Sequence, residues 1–385
     1  MSALSAAPAE NMRTLWFDES DQNVRFIDQT HLPHQLIIRT LGSLSDAVTA
    51  IVDMQVRGAP LIGITAAFGL WRALQQDPEA LESSSKTLLA TRPTAINLHW
   101  ALTRMVNSLR DVPAAQRAPR ALVLARALLA EDAAACGSIG NHGYRILEDL
   151  LAAKRQRDGD QAVLNILTHC NAGWLATGGW GTALAPIYKA HLAGLPVHVW
   201  VDETRPRNQG ASLTTWELAR SGVPHTLIVD NAGGHLMQHG QVDVCLVGSD
   251  RTTAQGDVCN KIGTYLKALA AFDNQVPFYV ALPSSTIDFD CMDGVREIPI
   301  EERSADEVRQ VQGALAGESR SGQVSVIKIA VTPASTAVSN YGFDVTPARL
   351  VSGLITELGV FDASRAGLTS IREQLDIESG VAESA

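Results

Sequence analysis

From about residue 160 onward the chain alternates short apolar runs with helical stretches. The runs fall at 163–168, 197–201, 226–229, 244–247, 277–282 and 326–331, each rich in Val, Ile and Leu. Runs that are apolar on both faces suit strands inside a parallel sheet, because helices cover both sides of such a sheet. Helical stretches at 181–193 and 213–221 fall between them, so the pattern predicts a doubly wound α/β domain. Residues 40–155 read differently. A helix through Ala47, Val48, Ile51 and Met54 is expected to start at a Ser43 or Ser45 cap and to be interrupted by RGAP at 57–60. Further helices are expected over 95–109, with Thr94 as cap, and over 118–149, which is rich in Ala, Leu and Arg. Two short strands, 15–17 and 24–28, precede them. The expected organisation is a small, mostly helical N-terminal domain over 1–155, carrying a short strand pair, and an α/β domain over 156–385. GESRSGQ at 317–323 reads as a surface loop, and the first ten and last six residues as loose termini.

Composition narrows the class. The 385 residues are 46% hydrophobic and 19% charged, a globular balance. The net charge of −10 offers no general attraction for nucleic acid or anionic membranes, so neither is an expected partner. The longest apolar stretch, 61–71, is broken by Gly63 and Gly69 and falls short of the about 20 residues that a span needs. Any phosphate ligand must therefore be held by a few local cations. Five scattered cysteines with no CxxC pair argue against a zinc cage or disulfide framework, and a reducing cytoplasm is the expected setting. The N-terminus shows neither a basic nor a continuous apolar signal region.

In an open parallel sheet, ligands bind beyond the carboxyl ends of the strands. The segments that follow the first five runs are HCNAGWLATGGWG, DETRPRNQG, DNAGG, GSDRTTAQGDVCNKIGTY and PSSTID. Polar, glycine-rich and reactive residues thus gather on one edge. A dinucleotide site is disfavoured, since Gly179 and Gly181 are followed by no third glycine of the G-x-G-x-x-G fingerprint, and no Walker motif occurs. Cys170, ending the first run ahead of a helical stretch, sits where the thiolate is favoured. Taken alone it reads rather as a buried small hydrophobe, because free cysteine is among the most buried residue types. Asp250, alone, reads as a helix cap or ion-pair partner. Their joint position at strand ends on one edge points to function. His235 and His239 lie four apart but lack the glutamate of a zinc hydrolase motif, and read as solvated or capping. Arg205 and Arg207 either hold a phosphate or pair with Asp202 and Glu203.

RGAP at 57–60, THCNAG at 168–173, DETRPRNQG at 202–210, GSDR followed by GD at 248–257, and NKIGTY at 260–265 occur in that order. Together they resemble the methylthioribose-1-phosphate isomerase family, over about residues 12 to 362. The same superfamily holds other sugar-1-phosphate isomerases and the regulatory subunits of a translation-initiation exchange factor. The resemblance implies a Rossmann-like C-terminal domain, a dimer, no cofactor, and a small-molecule sugar 1-phosphate as partner. It implies Cys170 and Asp250 as catalytic residues, and Arg57, Gly58, Ala59, Arg92, Gln209, Asn260 and Lys261 as substrate contacts. Chemically, a 1-phosphate locks the anomeric carbon, so ring opening needs a proton on the ring oxygen. Asp250 can deliver it if burial lifts its pKa. Cys170 then acts at C1–C2 by an enediol or a hydride shift, while Arg57, Arg92 and Lys261 hold the phosphate. Trp174, Trp180 and Cys259, close to these motifs, are expected to shape the pocket around the C5 substituent, which is either methylthio or simple deoxy. The reading of another class is a non-catalytic regulatory subunit, which would be expected to lack the Cys/Asp pair; a dehydrogenase is weaker still.

Overall fold

The computed structural model describes residues 13–315 and 325–383, with side chains to residue 377. The expected loop at 317–323 and the first ten residues lie outside the described residues. The chain end expected to be loose is instead helical as far as Glu383.

The N-terminal strands are Leu15–Asp18 and Asn23–Ile27, joined by a third, Ile38–Leu41, into an antiparallel sheet rather than a pair. The third strand is exposed along most of its length and so has no buried face for the sequence to advertise. Ser43 caps the helix Leu44–Val52 by accepting from the Asp46 amide. Thr94 is not a cap: Ala95 holds that position before Ile96–Leu109 without a side-chain bond. The helix Ala59–Gln76 is buried almost all round, as its continuous apolar sequence demands, and forms the centre of a helical core. The long helix Ala114–Asp158 lends its first half to this core and Ile139, Leu147 and Leu151 to a second, so the expected division at 155 falls inside a helix. No described helix is long and apolar enough to cross a membrane.

The second core and a third, on opposite faces, enclose a seven-stranded sheet in the order Gly359–Phe361, Gly353–Thr356, Phe278–Ala281, Val244–Val247, Leu164–Thr168, Val197–Asp202, His225–Ile228. All neighbours are parallel except the first pair. The fold is therefore mixed α/β, and five of the six apolar runs are strands of this sheet. The sixth is a correction. Val326–Ala330 pairs antiparallel with Gln310–Ala314 in a two-stranded ribbon, with Ile329 half exposed. Its place in the sheet is taken by the fully buried Gly353–Thr356. Lys328 in the middle of the run gave the alternation of an exposed strand.

Chain order reverses between Leu164–Thr168, which leads on to Val197–Asp202 on one side, and Val244–Val247 on the other. These two strands are neighbours, with Ile166 opposite Val244. The crevice outside their carboxyl ends is a topological switch point, where open α/β sheets bind ligands.

Candidate active site

Cys170 and Asp250 follow the two strands that flank this switch point. Between strand and helix, Cys170 adopts φ +64°, a left-handed conformation that costs a non-glycine residue energy. Two threonines hold it there: its amide donates to Thr204 Oγ1 at 2.9 Å and its carbonyl accepts from Thr214 Oγ1 at 2.6 Å. Asp250 enters a small second sheet, in which Arg251–Thr253 and Val258–Lys261 are antiparallel neighbours. Its amide donates to the Cys259 carbonyl at 2.9 Å, which fixes the turn.

Both residues line one cavity of about 40 Å³, together with Arg57, Gly58, Ala59 and Asn260. The N-terminal half thus closes over the sheet edge. Gly58 sits at φ +98° ahead of the helix Ala59–Gln76, and a Cβ there would meet the Ala176 backbone at 2.5 Å. Only glycine lets the helix N-terminus approach the cavity, where free amides and the helix dipole favour an anion.

The charges converge on Asp250. Desolvation raises its pKa above the usual carboxylate value, against the opposing pull of Lys261, Arg92 and Arg57. Lys261 is buried, its pKa is lowered chiefly by desolvation, and its ammonium donates to the Gly342 carbonyl at 2.9 Å. Arg92 reaches a neighbouring cavity shared with Asp250 and Cys259, and its guanidinium pairs with Glu301 at 2.7 Å. Its Nε is buried without a partner. Arg57 donates through Nη2 to the Asn171 carbonyl at 2.6 Å and through Nη1 to the Asn171 side chain. Asn260 donates to Thr264 Oγ1 at 3.0 Å. Gln209 does not line the small cavity. It lines an adjoining polar groove of about 420 Å³ that also reaches Arg57, and its buried Oε1 lacks a partner.

Several expectations are corrected by this geometry. Trp174 and Trp180 do not line these cavities: Trp174 packs on Trp216 at 5.7 Å, and Trp180 lies under the Lys189 ammonium at 4.3 Å. Arg205 donates to backbone carbonyls and Arg207 pairs with Glu307 at 2.9 Å, so neither pairs with Asp202 or Glu203. His239 is capping, as expected: its Nδ1 meets the His235 carbonyl at 2.7 Å at a helix end.

The structure adds residues that no motif reading singled out. His169 bridges Asp202 at 2.9 Å and the Ile262 carbonyl at 2.8 Å. His169, Asp202 and Asp230 are, among the described residues, the one set close enough to hold a metal ion. Lys267 already lies 3.1 Å from Asp202 there, supplying the charge that such a group of ligands attracts. Glu217, fully buried on the helix Thr215–Arg220, receives Asn171, two backbone amides and Tyr188. Burial pushes its pKa up to about 7. A mid-helix glutamate carries no motif signal, whereas His169 and Asn171 flank Cys170 inside THCNAG.

An acid whose pKa burial raises, a thiol, Arg57 and a helix N-terminus thus meet on one cavity, with Arg92 and Lys261 close enough to act on the acid. Comparison with known proteins agrees in kind. Residues 55–363 match the Initiation factor 2 subunit family. The chain is 58% identical to the methylthioribose-1-phosphate isomerase of Rhodospirillum rubrum, over 93% of this chain and 91% of that one. It is also 58% identical to that of Methylorubrum extorquens, over 93% and 96%. Among solved structures it resembles 5-methylthioribose 1-phosphate isomerase from Pyrococcus horikoshii OT3, with TM-score 0.78 and 34% identity over 95% of this chain and 98% of that one. It also resembles translation initiation factor eIF-2B, subunit delta, from A. fulgidus, with TM-score 0.73 and 34% identity over 91% and 96%.

Proposed function

The chain belongs to the Initiation factor 2 subunit family, among its methylthioribose-1-phosphate isomerases, and we propose on that premise that Cys170 and Asp250 interconvert 5-methylthioribose 1-phosphate and 5-methylthioribulose 1-phosphate. It is an aldose–ketose isomerase of methionine salvage. The observation that carries the catalytic reading is the meeting of Cys170 and Asp250 on one cavity at the switch point of the sheet.

The reaction runs as follows. Asp250, its carboxyl pKa raised by desolvation, gives a proton to the ring oxygen. The C1–O bond breaks and leaves C1 electron-poor. The C2 hydrogen then moves to C1. In a hydride shift it moves with its electron pair while Cys170 takes the C2 hydroxyl proton. In the enediol route Cys170 takes it as a proton and returns it to C1, while the Asp250 carboxylate left by the first step takes the C2 hydroxyl proton. Either way C2 becomes the ketone. Arg57, Arg92 and Lys261, with the amides at Gly58 and Ala59, hold the phosphate dianion. Gln209 Oε1 is an acceptor free for a sugar hydroxyl. The cavity of about 40 Å³ is far below the about 300 Å³ or more of typical ligand pockets. The two halves therefore part to admit substrate, and their closure excludes water. We place the enzyme in the cytoplasm as a homodimer, on its cysteine usage and family.

The test is turnover by purified protein, without added cofactor, on methylthioribose 1-phosphate and 5-deoxyribose 1-phosphate in parallel. Preference for the methylthio sugar supports the reading. Comparable or better use of the deoxy sugar replaces its substrate with a 5-deoxy pentose 1-phosphate. The likeness to the A. fulgidus eIF-2B subunit favours a second reading, a regulatory subunit, which gains if neither sugar yields ketose.

A further inference from the structure

Glu217 is fully buried, yet among the described residues no charged side chain pairs with it. A buried carboxylate is costly unless its oxygens are satisfied, and here each accepts two bonds. Oε1 takes Asn171 Nδ2 at 2.8 Å and the Leu175 amide at 3.1 Å. Oε2 takes the Trp174 amide and the Tyr188 hydroxyl, both at 2.9 Å. The approach is so close that a Cβ on Gly173 would lie 1.9 Å from Oε2. Three of the four donors belong to the turn that leaves Cys170. The Asn171 link matters most: the residue whose side-chain amide Glu217 holds is the one whose Oδ1 and backbone carbonyl accept from the buried Arg57 of the other half.

We propose that Glu217 is a positioning residue, which through Asn171 orients Arg57 to receive the phosphate of the substrate. This rests on the sugar-phosphate reading above. Glu217 touches no substrate; it fixes which way Asn171 faces. With Nδ2 committed to Glu217, Asn171 must present Oδ1 to Arg57. Without that carboxylate Nδ2 keeps only its longer bond to Thr214 Oγ1 at 3.2 Å, so the amide is held less firmly and one of the two anchors of Arg57 weakens.

The experiment measures KM and kcat for methylthioribose 1-phosphate, the Kd for inorganic phosphate, and thermal unfolding, in wild type, Glu217→Gln, Asn171→Ser and Tyr188→Phe. Glu217→Gln is expected to raise KM and the phosphate Kd about tenfold, the scale of one charge-assisted bond, with kcat much less affected. Asn171→Ser, which cuts the relay one link on, gives the same rise and serves if Glu217→Gln does not fold. Tyr188→Phe removes a donor outside the relay; it lowers the melting temperature and leaves KM unchanged. A folded Glu217→Gln or Asn171→Ser protein with wild-type KM and phosphate Kd overturns the proposal, as does an equal rise in Tyr188→Phe. Wild type that binds phosphate but makes no ketose overturns the functional reading instead, and leaves the phosphate Kd to decide the role of Glu217.

Discussion

Two cavities meet at Pro60 and Pro283, and they differ in size and in chemistry. The larger, of about 490 Å³, holds Asp132, Glu131 and Glu357 and has no Lys, Arg or His among its lining residues. The smaller, of about 40 Å³, holds Asp250 with Cys170 and Arg57. Burial raises the carboxyl pKa in both. Around Asp132 the only other charge felt is Glu357, a like charge that pushes the same way, and its pKa reaches about 7. Around Asp250 three cations pull against burial. An acid with a raised pKa next to cations that can hold a dianion fits the proposed proton delivery to a sugar phosphate. An acid with a raised pKa next to other acids does not. Opposed groups converging on one point, more than volume, mark the site.

Substitutions can break or sharpen that contrast. The largest effect is expected for Cys170→Ala, which removes the group acting at C1–C2. Its kcat falls by about 10³-fold, within the range of lost acid–base groups, as measured by ketose formation on protein verified to be folded. Arg57→Ala, which strips the small cavity of a phosphate cation, raises KM by about 10- to 100-fold and lowers kcat less. The pH profile is subtler. On the proposed mechanism activity needs protonated Asp250, so kcat/KM is expected to fall as pH rises through its raised pKa. Arg92 lowers that pKa, so Arg92→Gln moves the alkaline limb to higher pH. The smallest effect belongs to the large cavity: Asp132→Asn leaves kcat and KM within about twofold, because no step is assigned to it. It does change stability. With a folded pKa near 7 against an ordinary 3.8, the contribution of Asp132 is fully present below the ordinary value and is lost as pH rises toward 7. Melting temperatures across that window therefore fall less steeply in Asp132→Asn than in wild type.

Much of this arrangement is legible in the sequence, for physical reasons. The strands Leu164–Thr168 and Val244–Val247 are buried on both faces apart from Asn165, so they must be apolar throughout and stand out. The residues that follow such strands are polar for a reason other than folding, which singles out Cys170 and Asp250. Ser43 announces its helix because the cap bond is local. What escapes is non-local. Gly353–Thr356 is too short to distinguish from a loop, and Val326–Ala330 was expected in its place. Glu217 occupies one position of a six-residue helix, and only the tertiary fold brings it to Asn171 and the turn after Cys170. The tryptophans near the motifs were expected at the pocket, but proximity in sequence did not turn their rings toward it.

The most direct test of the account is Asp250→Asn, assayed for ketose formation from methylthioribose 1-phosphate beside wild type, with phosphate affinity and folding checked on the same samples. The account predicts a protein that folds, still binds phosphate and turns over about 10³-fold more slowly, because the amide cannot protonate the ring oxygen. Turnover equal to wild type would contradict it, since the ring would then be opening without the acid to which the site assigns that step.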